Sequence, residues 1–423
     1  MNLPRGMKDF ESSEQSNIEF VRQKFLDTCK TFAFSVMDPS PIELVSVIEA
    51  KSGPDIRNEI YFFKDKGDRE VALRFDFTVG LTRYVVSQKS LRLPAKIAAF
   101  GGVWRYDEPQ KGRYRYFHQW DLEIYGKPSL ESDAEIIEFT SKFLSKLGLK
   151  NITIDISHRK LVEAVVGKIF GSTEPQVISD IFRAIDKIQK KKKDEILGEY
   201  QQKGYSKEKL EQILEFSKIS GQPDEVEKIF SVKEYGAWDE IRDLFLSLKN
   251  RGVSNIRINF GIVRGLDYYS GVVFEAFDTS SDVGALVGGG RYDSLPKAFG
   301  RDDLGATGVA GGVERIILSL QSQGLLGAES DSMISVLYVK EDLMGPAVQI
   351  TSKLRDQGFA VDVDLVGRPF KKQMENATRS KYVVIVAPNE YSSNQVVIKN
   401  MADGKETTAP VSALSNAKSL FSH

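Results

Sequence analysis

The sequence predicts a mixed α/β protein built as two domains. A large α+β domain spans residues 1–325 and is interrupted by a helical insertion at about 160–250; a smaller α/β domain covers 330–423. Three observations point to this organisation. Helix-like and strand-like segments alternate up to about residue 160. From there to about 250, Lys, Glu and Gln dominate and the apolar spacing stays helical. From Ile334 on, the order becomes strand, helix, strand, helix, strand, the rhythm of a small, mainly parallel sheet. Between the domains, Gln321 to Gly327 is a polar, glycine-bearing stretch suited to a boundary.

The elements follow in order. Ile18, Val21, Phe25, Leu26 and Cys29 recur at helical spacing and predict a helix over 16–32. Strands are expected at 59–64, 71–75, 97–106 and 114–125. The last two flank the polar loop Asp107 to Arg113, with its Pro and Gly, and so predict a long antiparallel hairpin. A helix over 133–147 and a strand over 152–156 come next. Inside the insertion, Lys190 to Lys193 predict a solvated helix face, with an RNA contact as the alternative. Strands resume at 256–262 and 272–277. Gly288 to Gly290 predict a glycine-rich turn, and Gly308 to Gly312 a strand end that leads into an apolar helix. In the second domain, strands 334–339, 360–366 and 382–387 alternate with helices 345–357 and 370–379.

Composition narrows the function classes. The chain has 423 residues, enough for two or three cores, and its 41% hydrophobic and 28% charged shares are those of a globular protein. No apolar run approaches the ~20 residues of a membrane span, so no membrane association is expected. Met1 to Asp9 lacks the apolar core of a signal peptide, and the expected compartment is the cytoplasm. Cys29 is the single cysteine, which excludes an internal disulfide framework and cysteine-rich metal clusters. With only His118, His158 and His423 present, histidine-rich metal sites are poor candidates, and no metal ligand is assigned to the protein itself. A net charge of −1 gives no global attraction for nucleic acid, so a polyanionic partner must be met by local basic patches.

Four constellations suggest chemistry. Arg264, Gly265, Tyr268, Tyr269 and Gly271 precede the alternating strand 272–277. Glycine weakens a strand interior, so the cluster suits a backbone lying close to a small ligand, with a cation to meet an anion; a bulged hairpin is the plainer alternative. On the long hairpin, alternation is expected to put Arg115, Phe117 and Gln119 on one face, and Arg105 with Asp107 on one face. Arginine offers a planar fork to phosphate oxygens, a neighbouring aromatic can stack on a base, and Asp107 can accept from an exocyclic amine. A ribbon of cross-strand ion pairs is the alternative. Gly308 to Gly312, followed by Arg315 in the first turns of a helix, suits close approach of a nucleotide. Gly288 to Asp293 is the fourth.

These residues resemble the histidyl-tRNA synthetases, a family of class II aminoacyl-tRNA synthetases. Arg264 to Tyr269 and Gly288 to Asp293 look like the family's two own signatures; the hairpin resembles class II motif 2, and Gly311 to Leu320 resembles motif 3. The likeness covers essentially the whole chain, from Pro4, Arg5 and Gly6 to a C-terminal module similar to the shared anticodon-binding domain, carried by Lys372, Gln373 and Tyr382 to Val386. Asp38 to Glu43 has the proline character of motif 1, in an ambiguous register. The resemblance implies a class II antiparallel sheet flanked by helices, a homodimer and a two-step ligase reaction. ATP and L-histidine give histidyl-adenylate and pyrophosphate; histidine then passes to the 3′ end of tRNA(His). Mg2+ is expected to bridge the phosphates.

Roles come with the resemblance. Arg105 and Arg264 are expected to be catalytic, neutralising charge at the α-phosphate. Arg105, Asp107, Arg113, Phe117 and Arg315 are expected to bind ATP, with Phe117 and Arg315 on either side of adenine. Asp76, Thr78 and Gln119 are expected at the α-amino group of histidine, and Tyr268 is also expected to bind histidine. Glu123 and Tyr269 are expected on the two imidazole nitrogens; an ion pair between Glu123 and a nearby arginine is the alternative. Gln110, Lys111 and Arg113 are expected to meet the acceptor end of the tRNA. Two rival classes share such a fold: a non-catalytic relative like the regulatory subunit of ATP phosphoribosyltransferase, and RNA-binding sensor modules. The first lacks the anticodon module and degrades the Arg264 to Tyr269 run. The second tends to lose ATP-contacting residues such as Arg105, Phe117 and Arg315. All of these are intact here.

Overall fold

The structure is a computed structural model that describes residues 2–108, 114–188, 191–263, 269–326 and 333–421. The chain divides into two units, Met1–Leu326 and Gly327–His423, each with hydrophobic clusters of its own. Among the described residues the first unit holds β1 (Ser35–Val36), β2 (Ile42–Leu44), β3 (Phe62–Lys64), β4 (Glu70–Leu73), β5 (Ala95–Trp104) and β6 (Tyr116–Gly126). It continues with β7 (Ile152–His158), β8 (Ser220–Gly221), β9 (Ile256–Asn259), β10 (Val272–Asp278), β11 (Ala285–Arg291) and β12 (Gly305–Gly312). One nine-stranded sheet runs in the order β1-β5-β6-β12-β11-β10-β7-β9-β8. From β5 through to β7 every neighbour is antiparallel. A separate sheet has the order β2-β4-β3.

β5 and β6 form the expected hairpin, paired from Ala95 with Tyr125 to Trp104 with Tyr116. Alternation sends Trp120, Leu122 and Ile124 into the main core, where Trp120 meets Phe25, Phe139 and Phe143. Those rings come from the helices Ser12–Thr31 and Leu130–Lys146. The first helix starts at Ser12 rather than Ser16 because Glu11 and Glu14 close a capping box. Burying one large apolar side chain contributes about 1.5–3 kcal/mol, so the register of β6 is fixed by its even-numbered residues. Gln119, Asp121 and Glu123 must then all project from the opposite face.

Gly288 to Gly290, expected as a turn, lie inside β11. A Cβ at Gly289 would meet the Gly308 carbonyl oxygen at 2.5 Å and the Phe274 ring at 2.8 Å. At Gly289 and Gly290 the neighbouring strands approach too closely for a side chain, whereas a Cβ at Gly288 would meet Glu275 only at 3.9 Å; the chain itself runs straight on.

The insertion contains the helices Arg159–Phe170, Pro175–Lys187, Lys193–Gln202, Lys207–Phe216, Pro223–Ile229 and Ala237–Asn250. Their apolar faces join the core of the sheet: Ile181, Ile213, Trp238 and Leu244 belong to one buried cluster with Phe260 and Phe274. β8 returns from the insertion to pair with β9, and Glu240 meets Arg291 of β11 at 2.7 Å. The lysine run does not lie within one continuous helix. Lys190 is outside the described residues, Lys192 caps the helix Lys193–Gln202, and Lys191 and Lys193 pair with Glu199 and Glu215 at 3.3 and 3.2 Å.

The second unit holds β13 (Ile334–Tyr338), β14 (Val361–Val363), β15 (Tyr382–Val386), β16 (Gln395–Asn400) and β17 (Glu406–Pro410), in the order β14-β13-β15-β16-β17. β13 lies parallel to β14 and β15, as the alternating rhythm predicts. β16 and β17 add antiparallel pairs that the apolar pattern does not announce, because Lys399, Asn400, Thr407 and Thr408 break it up. No described helix is long and apolar enough to cross a membrane.

Candidate active site

β6, β10, β11, β12 and the helix Val313–Ser322 line a cavity of about 460 Å³. Phe117 and Gln119 come from β6, Glu275 from β10, Gly288 from β11 and Gly311 from β12. Glu314 and Arg315 come from the helix, and Arg105 enters just after β5. Gly312 caps that helix, so its positive end opens beside the cavity. Arg105 is held from two sides: its Nε donates to the Phe75 carbonyl at 3.0 Å and its Nη2 to Gln119 Oε1 at 3.2 Å. Its guanidinium stands 5.2 Å from the centre of the Phe117 ring. Arg315 Nη1 donates to the Ala285 carbonyl at 2.8 Å. Glu314 accepts from the His118 backbone N–H at 2.9 Å and touches its ring Nδ1 at 3.0 Å, tying the strand of Phe117 to the helix of Arg315. Two fixed cations beside an aromatic ring suit a phosphorylated nucleobase compound.

From Gln119 a polar chain leads inward. Gln119 Nε2 and Thr78 Oγ1 both donate to Asp121 Oδ2, each at 3.3 Å. Asp121 Oδ1 has no donor among the described residues, although the side chain is wholly buried. Glu123, also buried, accepts from the Tyr292 hydroxyl. Asp76 pairs with Lys51 at 2.7 Å and accepts from the Val79 N–H at 3.2 Å, at the start of the helix Thr78–Ser87. Burial, then the Asp76 carboxylate, pushes Asp121 up to about 7; burial, then Asp121, pushes Glu123 well above the ordinary carboxylate range. Tyr269 is partly exposed, yet burial, then Glu123 and Glu275, raises its hydroxyl above the usual tyrosine range. Across from Glu123 on β12 stands Gly308, where any Cβ would overlap the Glu123 carboxylate.

Arg105, Phe117, Gln119 and Arg315 thus share one cavity, and Asp76, Thr78, Gln119 and Glu123 cluster around Asp121. Asp107 is not in the cavity wall. β5 ends at Trp104, so the alternation expected to pair Asp107 with Arg105 does not reach it. Arg115 likewise precedes β6; it sits 3.8 Å over the Tyr106 ring and donates to the Asp107 and Arg5 carbonyls. The hydroxyl on Glu123 belongs to Tyr292, and no arginine pairs with it among the described residues. Arg264, Tyr268, Gln110, Lys111 and Arg113 lie outside the described residues. Lys51 carries no local sequence signal that places it here. Tyr292, Glu275 and Glu314 lie within the runs Gly288 to Asp293, 272–277 and Gly311 to Leu320, which do not assign them a role, and Asp121 is the middle member of the alternation from Gln119 to Glu123. Among the described residues no three metal-ligating side chains cluster, and the carboxylates lining the cavity are Glu275 and Glu314.

An antiparallel sheet with an arginine-bearing hairpin, and a glycine-ended strand leading into an arginine-bearing helix, defines the class II aminoacyl-tRNA synthetases. Residues 6–316 match the family described as histidyl-tRNA synthetase, and residues 333–417 match the one described as anticodon binding domain. The histidine–tRNA ligase of Pyrococcus horikoshii is 33% identical over 415 residues, covering 95% of both chains. The chloroplastic/mitochondrial histidine–tRNA ligase of Arabidopsis thaliana is 31% identical over 423 residues, 98% of this chain and 86% of that one. The crystal structure of histidyl-tRNA synthetase from Nostoc sp. PCC 7120 has the same fold, with a TM-score of 0.82 at 23% identity over 99% of each chain. This chain belongs to the histidyl-tRNA synthetase family.

Proposed function

We propose that the cavity and the acidic pocket behind it are the two halves of one activation site. As a member of its family the protein is a histidine–tRNA ligase that uses ATP. The supporting observation is Gln119, which bonds Arg105 in the cavity and Asp121 in the pocket. Activation joins the carboxylate of an amino acid to the α-phosphate of ATP, so the two substrates must lie against one another. The amino-acid carboxylate is already ionised and serves as nucleophile, and no protein base is needed. Arg105 and Arg264 neutralise the charge that builds at the α-phosphate. Phe117 and Arg315 take the adenine, with Asp107 and Arg113 closing on the nucleotide. Asp76, Thr78 and Gln119 take the α-ammonium of histidine, Glu123 and Tyr269 its imidazole, and Tyr268 borders them. Glu275 and Glu314, the carboxylates lining the cavity, would hold Mg2+ with ATP, and the ion would supply charge neutralisation at the phosphates. ATP–pyrophosphate exchange tested with each amino acid in turn should proceed with histidine alone; no exchange with any of them would favour a non-catalytic relative.

Transfer requires tRNA(His). Gln110, Lys111 and Arg113 would meet its acceptor end. In the second unit Arg368, Lys371, Lys372 and Arg379 are exposed around the helix Phe370–Asn376. A chain ended after Leu326 should keep histidine-dependent exchange and lose most tRNA charging. Binding of the full chain to tRNA should weaken steeply with salt, because phosphate contacts release counterions. Unaltered charging by the shortened chain would assign the second unit another role.

The active form is a homodimer in this reading. Ile42, Leu44 and Phe63 share a face of the small sheet and are 44%, 45% and 46% exposed, a contiguous apolar patch suited to an interface. Leu44→Glu with Phe63→Glu should convert a dimer to a monomer in light scattering; an unmoved mass would place the interface elsewhere. The proposed compartment is the cytoplasm, where a lone, buried Cys29 stays reduced.

A further inference from the structure

Asp121 is a buried acid with half its capacity unused. Thr78 and Gln119 both donate to Oδ2, and Oδ1 is left without a donor in a side chain with no exposed surface. A buried acceptor left unmet costs about 1–3 kcal/mol, which a donor arriving at Oδ1 would recover. The surrounding protein groups are already committed. Lys51 is paired with Asp76, the Tyr292 hydroxyl with Glu123, and the Tyr125 hydroxyl with Thr82 at 3.0 Å. Glu275 and Glu123 are further acids, and Tyr269 lies beside them. Among the described residues the acids Asp76, Asp121, Glu123 and Glu275 outnumber the cation Lys51, which is bonded to Asp76.

We propose that Asp121 is a further substrate-binding residue, whose free oxygen accepts from the α-ammonium of histidine. This rests on the reading of the pocket as the histidine site. The two groups that hold Oδ2, Thr78 and Gln119, are those assigned to the α-ammonium, which puts Oδ1 beside the same position. In the empty pocket the neighbouring buried carboxyls Asp121 and Glu123 hold one proton between them, since two such groups do not both ionise; burial and then Asp76 raise Asp121, and burial and then Asp121 raise Glu123. When the ammonium arrives, the shared O–H bond breaks and the proton leaves to solvent. One cation replaces another, and the charge of the pocket is unchanged. A molecule with the imidazole but no α-ammonium drives no such exchange.

The test uses the full-length enzyme. Asp121→Asn should raise the KM for histidine in pyrophosphate exchange by about 10- to 100-fold, the worth of a hydrogen bond to a charged group. The KM for ATP should stay put, and so should competitive inhibition by imidazolepropionate, which is histidine without its amino group. Calorimetry of histidine binding to the wild-type enzyme at about pH 7.5, in buffers of different ionisation enthalpy, should show close to one proton released, at a pH where free imidazole is largely neutral. An unchanged histidine KM, an equal loss of imidazolepropionate, or no proton release would each overturn the assignment of Asp121. Absence of histidine-dependent exchange in the wild-type enzyme would instead bring down the histidine-site reading itself, and this proposal with it.

Discussion

Arg105→Ala should slow histidyl-adenylate formation by about 10²–10³-fold, the usual cost of losing one pre-aimed charge-stabilising group. The guanidinium is fixed before substrate arrives, by the Phe75 carbonyl on one side and Gln119 on the other. No reorganisation is then left for the moment when charge develops on the phosphate. Lysine should not restore the rate, because a single ammonium cannot hold those two partners and still present a fork. Arg264→Ala is expected to fall by a similar factor, on charge grounds. Single-turnover adenylate formation in the folded variant is the measurement, and a rate within tenfold of wild type would remove Arg105 from the chemistry.

Gly308→Ala should be nearly as damaging, although it deletes no functional group. Its new methyl would lie within the Glu123 carboxylate and 2.8 Å from the Leu122 carbonyl oxygen. Glu123 must swing away, losing Tyr292 and leaving a buried acid without its donor. Overpacking of this kind costs about 1–3 kcal/mol in stability. The larger effect should fall on the substrate: the KM for histidine should rise by about 10²-fold or more, in the way that pockets built on buried hydrogen bonds lose discrimination. Glu123→Ala and Tyr269→Phe should shift the same constant, with the KM for ATP little changed. Gly198→Ala is the matched control. It sits in the helix Lys193–Gln202 with nothing within 4 Å of its added methyl, and should gain about 0.5–1 kcal/mol of stability with activity intact. If Gly308→Ala binds histidine like the control does, Glu123 does not read the imidazole.

The long hairpin was legible in the sequence because period-two alternation and a Pro- and Gly-bearing loop are local signals. Its ends were not: one residue past Trp104 the chain leaves the strand, and Arg115 precedes β6, so alternation does not fix the faces of Asp107 and Arg115. Gly288 to Gly290 illustrate a different gap. A glycine run reads the same whether the chain reverses or three strands crowd together, and only the neighbours Phe274 and Gly308 decide between them. Helical periodicity announced the insertion, but its burial in the core of the sheet depends on Phe260 and Phe274, which follow it in the chain. Asp121 could be found by alternation alone; Lys51 could not, since it reaches the pocket from a distant element, and Tyr292 was marked only by the run Gly288 to Asp293, which does not say what its hydroxyl meets.

The order of strands bears on how the chain is made. β6 ends at Gly126, yet its neighbour β12 begins only at Gly305. While everything between is synthesised, one edge of β6 stays open on the ribosome, and open edges invite pairing with other chains. β10 and β11 form a second fragment that waits on the far side of the same gap. The strand that fills it, Gly305 to Gly312, is half glycine and has little strand preference of its own. It is held by neighbours on both sides, so the sheet closes late and in one step. A chain that stops short of residue 305 is left as two half-sheets with matching sticky edges, and should depend on chaperones or aggregate.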